Sequence, residues 1–103
     1  MASSKEYLDY IMEQISYAED VSYRPMMGEF IIYCTGKVVG GVYDDRFLVK
    51  PTASAKRAMP DGRYENPYDG AKDMLLVENL EDKEFMRELL ESIADELLDK
   101  KKK

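Results

Sequence analysis

The stretch that decides the fold is residues 24–50, RPMMGEFIIYCTGKVVGGVYDDRFLVK. It holds three apolar runs, at 29–34, 38–43 and 47–50, separated by Thr35-Gly36 and by Asp44-Asp45-Arg46. Short runs rich in Val, Ile, Tyr and Phe, bounded by Gly and Asp, read as β-strands joined by tight turns. A lead-in strand is expected at 21–24. Pro25 has no N–H to give to a ladder, so that strand should lie at an edge or stop there. A Thr35-Gly36 hairpin would set Ile32 opposite Val39 and Phe30 opposite Gly41, the ring filling the space above the glycine. Two glycines inside a strand, Gly40 and Gly41, call for a bulge or the close approach of a helix. Phe30 and Ile32 point one way and Ile31 and Tyr33 the other, so both faces of this meander are apolar. A sheet with one face in water alternates more cleanly, which predicts a cover for the second face, from this chain or from a second copy in a homodimer.

Outward from this stretch the chain turns helical. Residues 3–17 carry a stripe of Leu8, Ile11, Met12 and Ile15 at helical spacing, with Ser3 and Glu6 as a capping box. A short helix is expected over 53–59, with Thr52 as its N-cap and Pro60-Asp61-Gly62 as its stop. Residues 63–71, with Tyr64, Pro67, Tyr68 and Gly70, read as a loop pinned to the body. A buried strand follows at 74–77. A last helix starts at Asn79 or Glu81 and runs to about 98, with Phe85, Met86, Leu89, Leu90, Ile93, Ala94 and Leu97 on one stripe. The expected fold class is α+β: two layers, with an antiparallel sheet of about five strands covered by two long helices. The short helix falls between the meander and the last strand, giving the order α-β-β-β-β-α-β-α. One domain is expected over 1–99, with 100–103 a fraying lysine tail.

Composition narrows the function classes. A chain of 103 residues hides roughly 65% of its unfolded surface on folding, enough for a core without staples. The net charge of −6 is unevenly spread: residues 1–60 carry seven basic and eight acidic side chains, and residues 61–99 carry four and thirteen. An acidic body repels phosphate, so direct nucleic-acid binding is not expected. Met1-Ala2-Ser3-Ser4 leads straight into a charged amphipathic segment, which predicts no secretory leader, and no apolar run is long enough for a membrane span. With one cysteine, Cys34, a cytoplasmic location is expected.

The chain has no histidine, which removes Ser-His-Asp and Cys-His nucleophile systems and histidine-based metal sites. No phosphate-cradling, dinucleotide or calcium loop is present, and no cofactor or metal is expected. Cys34 reads as a packed thiol and Asp44-Asp45 as turn formers. The acid pairs Glu84/Glu88, Glu91/Asp95 and Asp95/Asp99 read as a solvated helix face. Lys50, Lys56, Arg57 and Arg63 form the one basic cluster of the body. Arg24 reads as a structural arginine bonding exposed carbonyls or the Asp44-Asp45 turn.

The same stretch resembles the N-terminal domain of the TfoX/Sxy family of bacterial proteins associated with competence regulation. The matching residues are Arg24, Met26, Met27 and Gly28, then Ile32-Tyr33, Gly36-Lys37, and Tyr43-Asp44-Asp45-Arg46 with Leu48 and Lys50. Tyr68, Gly70, Met74 and the final helix keep the family's order. The resemblance covers essentially the whole chain, as a stand-alone N-terminal domain. It implies a two-layer α+β fold and a cytoplasmic non-enzyme acting beside a cAMP-receptor-type activator at promoters.

Three function classes follow. The first is a regulatory module, linked to transcription or competence, that binds a protein partner through Arg24, Met26, Met27, Tyr43, Asp44, Asp45, Arg46, Lys56 and Arg57. The second is a small-molecule-binding domain built on Tyr33, Tyr43, Tyr64 and Tyr68, favoured by an apolar pocket between the long loop and the sheet. The third, an enzyme using carboxylates or Cys34, needs a cleft of converging ionisable groups.

Overall fold

A computed structural model describes residues 4–101, with side chains through 97. The fold is α+β, with three helices and one antiparallel six-stranded sheet. In chain order the elements are α1 (Lys5–Gln14), β1 (Val21–Met26), β2 (Glu29–Cys34), β3 (Lys37–Val42), β4 (Phe47–Val49), α2 (Ala53–Ala58), β5 (Tyr64–Glu65), β6 (Met74–Leu76) and α3 (Lys83–Lys101).

The helix α1 forms because Leu8 and Ile11 give it a buried stripe and because Ser4 caps it, the Ser4 hydroxyl accepting from the Tyr7 N–H at 3.1 Å. The expected Ser3 cap lies outside the described residues. The helix is shorter than expected at its far end. The Ser16 hydroxyl bonds the Glu13 carbonyl at 2.7 Å, a local bond that competes with the helical ladder. Ile15 and Ala18 continue into the core past the helix end. At α3 the start is Lys83, later than Asn79 or Glu81, because the Asp82 carboxylate accepts from the Phe85 N–H at 3.1 Å. The expected fraying over 100–103 is corrected at its start, since α3 continues past 98 to Lys101; residues 102 and 103 lie outside the described residues.

The strand order is β1-β2-β3-β4-β6-β5. The strand β1 lies at the sheet edge as Pro25 requires, yet continues through it to Met26. The turn between β2 and β3 has Thr35 at φ +49° and Gly36 at φ +82°, the pair of left-handed residues that a two-residue hairpin favours.

The expected hairpin register is corrected. Ile32 pairs with Gly40 and Phe30 with Val42, and the ladder shifts at Ile32/Tyr33. A bulge there gives β3 an extra residue, Val39, which turns into the core. Gly40 is needed at the bulge: a Cβ on it would lie 2.2 Å from the Leu48 carbonyl oxygen and 2.8 Å from the Val49 Cα. Gly41 is covered by the Tyr43 ring, not by the Phe30 ring: a Cβ there would meet the Tyr43 ring at 2.6 Å and the Phe30 carbonyl oxygen at 2.7 Å.

The expectation of about five strands is also corrected. Residues 64 and 65, expected within a loop, form β5 by pairing with Leu75 and Met74. This strand exists through its partner: no alternation in the local sequence marks it.

One face of the sheet presents Ile32, Val39, Val42, Phe47, Val49 and Leu75 to the helices, against Leu8 and Ile11 of α1 and Met86, Leu90 and Ile93 of α3. The short helix α2 packs on α3 and is tied to it by Glu96. The Glu96 carboxylate accepts from the N–H groups of Ala53 (3.0 Å) and Ser54 (2.8 Å) and from the Ser54 hydroxyl (2.8 Å). Thr52 caps the same helix as expected, its hydroxyl accepting from the Ala55 N–H.

The opposite face is covered in part by the chain: Ile31, Tyr33, Val38 and Leu76 on it are half-buried. Leu48 is fully buried although it belongs to this face, opposite Gly41 and Leu76. The segment 66–73 is held to the body by Arg46 and by the Tyr43–Tyr68 ring contact. No helix among the described residues is long and apolar enough to cross a membrane.

Candidate functional site

Two turns meet at one end of the sheet. In the β1–β2 turn, Met27 has φ +53° and Gly28 φ +87°. Met27 is 96% exposed, and Met26 beside it is half-buried. In the β3–β4 turn, Asp44 and Asp45 have φ +54° and +56°. Tyr43 and Arg46 close it with reciprocal backbone bonds of 2.8 and 3.0 Å. A left-handed pair suits Asp, whose short side chain tolerates that conformation. The two turns are joined by the Glu29 carboxylate, which accepts from the Asp44 N–H at 3.0 Å, and α1 joins them where the Ser4 N–H donates to Asp45 Oδ1 at 2.9 Å. The aspartates therefore act as turn formers in a bonded corner.

Arg46, not Arg24, ties this turn to the body. Its Nε donates to the Tyr43 carbonyl (3.1 Å), its Nη1 to Glu65 Oε1 (2.7 Å) and its Nη2 to the Asn66 carbonyl (3.2 Å). Arg24 is exposed on the edge strand, its guanidinium carbon 6.0 Å from the Tyr33 ring centre. Lys56 and Arg57 are exposed on α2, where Arg57 lies with Ser54, Glu88 and Ser92 in a shallow dip against α3. The sequence-derived surface thus divides. Met26, Met27, Asp44 and Asp45 come together, Tyr43 is buried to 6% exposure, and the α2 pair belongs to the helical layer.

The second feature is a groove of about 490 Å³ between the segment 67–74 and the sheet. Tyr43 and Tyr68, rings 5.9 Å apart, form one wall, with Val38, Met74, Pro51 and Pro67 as apolar lining. Lys50 and Lys72 also line it. Burial pushes the Tyr43 phenol above its ordinary pKa, helped by Tyr68 and Glu29, so it stays neutral. Of the four expected binding tyrosines the groove gathers two. Tyr33 lies under Arg24, and Tyr64 is exposed on β5. Sequence reasoning named Lys50 and Tyr68 separately and missed their shared groove, because the join depends on how the loop folds back over the sheet.

Cys34 is fully buried, and its thiol donates to the Glu19 carbonyl at 3.3 Å. Burial first, then Glu91 and neighbouring acids, pushes its pKa up to about 11. A thiol so placed is a poor nucleophile. Among the described residues no group of three His, Cys, Asp or Glu side chains could hold a metal.

A protein of Spirochaeta aurantia, described as an uncharacterized 12.7 kDa protein in the trpE 5′ region, is 31% identical to this chain over 80 residues, which span 78% of the chain and 70% of the relative. The chain belongs to the same family as that protein. No family model matches the chain, and no solved structure matches it.

Proposed function

We propose that this protein is a non-catalytic regulatory interaction module of the TfoX/Sxy N-terminal type, linked to transcription or competence regulation. It docks a protein partner through the corner made by the β1–β2 and β3–β4 turns. The observation that carries the reading is Met27. Its apolar side chain is 96% exposed on a left-handed turn beside Met26 and two aspartates, where it can enter a partner's pocket. The partner class is a cAMP-receptor-type activator or the transcription machinery, and the body, with a sequence pI near 4.7, does not bind nucleic acid itself. The test is binding of a purified activator of that class by the wild-type chain and by Met27→Ser and Asp44→Lys variants of unchanged stability. Binding lost in both variants supports the corner. Binding unaffected by either, or a DNA mobility shift that survives moderate salt, refutes the reading.

A second reading is favoured by the groove. An apolar cleft of this size with a few polar groups at its rim is the usual form of a small-molecule site, and it lies between the long loop and the sheet.

A further inference from the structure

We propose that this groove takes a small aromatic monocarboxylate, its ring against Tyr43 and Tyr68 and its anion held by Lys50 and Lys72. The proposal rests on the ligand-binding reading above and adds the chemistry of the ligand.

Charge is the first argument. The chain has 21 acidic residues against 15 basic ones. Lys5, Arg46, Arg63, Lys83 and Arg87 each have a carboxylate partner. Lys50 and Lys72 line one groove and take part in no ion pair among the described residues. The groove's own acid, Asp73, faces the Asn66 side-chain amide, whose Nδ2 donates to Asp73 Oδ1 at 3.4 Å. Two cations against one carboxylate leave the cleft net positive in an otherwise acidic protein, a local attraction for an anion.

The second argument separates carboxylate from phosphate. Tight phosphate sites usually add arginine forks or clustered backbone N–H groups at a helix start to any lysine. No arginine lines this groove. The N–H groups of α2, which begins beside it, are already taken by Glu96 and Thr52. Two lysines suit a single charge of modest demand.

The third argument is the wall. Tyr43 and Tyr68 are tilted by 53° to one another, so a planar ring can lie against one and present its edge to the other. About 490 Å³ admits a one- or two-ring molecule.

The experiment is an NMR titration of the full chain at low salt with phenylacetate, naphthoate and indoleacetate, each beside its neutral primary amide. The expected result is shifts at Tyr43, Tyr68 and Met74, with each carboxylate binding roughly tenfold tighter than its amide. Lys50→Gln and Lys72→Gln should each weaken the carboxylates about threefold or more and leave the amides unchanged. Amides that bind as well as the acids, or lysine variants without effect, overturn the proposal and leave the groove reading standing. Preference for inorganic phosphate also overturns it. No shift at the groove with any probe removes both readings. Groove shifts that follow protein concentration alone make a second copy the occupant and overturn both.

Discussion

Gly40→Ala is the most severe single change expected in this chain. The added Cβ would lie 2.2 Å from the Leu48 carbonyl oxygen, against an ordinary contact of 3.4–4 Å. No rotamer relieves it, because the atoms met are backbone. The strands β3 and β4 must part by more than about 1 Å. Parting there breaks the Lys50 N–H bond to the Val39 carbonyl, now 2.9 Å, and pulls Val49 from the core. Overpacking costs about 1–3 kcal/mol, and each lost ladder bond adds about 1 kcal/mol. The sum is about 2–4 kcal/mol, a large part of a usual stability of about 5–15 kcal/mol. The assay is urea unfolding followed by circular dichroism. With a slope of about 2 kcal/mol per molar, the midpoint should fall by about 1–2 M. Gly36→Ala is the control. It has φ +82° but nothing within 4 Å of the new atom, so it should cost only about 1–2 kcal/mol. Failure of Gly40→Ala to accumulate as folded protein, while Gly36→Ala does, agrees with the reasoning. A Gly40→Ala protein within about 1 kcal/mol of the wild type would refute the bulge and its register.

Arg46→Met removes the half-buried pair with Glu65 and two carbonyl bonds. It should cost about 1–2 kcal/mol and speed amide exchange across 66–71, read by hydrogen-exchange mass spectrometry. Glu96→Gln should lower stability by about 1 kcal/mol in thermal melts, because one carboxylate serves three donors at the start of α2. With its pKa raised to about 11, Cys34 should resist iodoacetamide at neutral pH in the native state and react promptly in denaturant. A thiol pKa raised on folding contributes stability below the unfolded value of 9.0 that is lost as pH climbs toward about 11. Tyr7 and Tyr43 lean the same way, so Cys34→Ala should flatten only part of the alkaline decline in urea midpoint.

What could be read in advance depended on how local each cause was. The stripes of α1 and α3, the Thr52 cap and the Thr35-Gly36 turn follow from neighbours in sequence, and they stand where periodicity and turn chemistry put them. Gly40-Gly41 announced a bulge without saying which residue it would insert, so the register beyond it was off by one. The strand β5 and the anchoring role of Arg46 were not legible. The first is two residues made into strand by β6, and the second depends on a loop returning from 20 positions away. The candidate surface fared by the same rule: residues within each turn stayed together, whereas Lys56 and Arg57 were separated from them by the packing of α2 on α3.

The sheet's two margins govern how copies of this molecule treat one another. On one side the rim is only two residues long. On the other, β1 exposes Ser22, Tyr23, Arg24 and Pro25. A proline leaves a gap in the row of donors that a visiting strand would need, and the adjacent guanidinium adds repulsion between like copies. A sheet finished in this way resists edge-to-edge pairing: concentrated solutions should stay clear and resist fibril seeding.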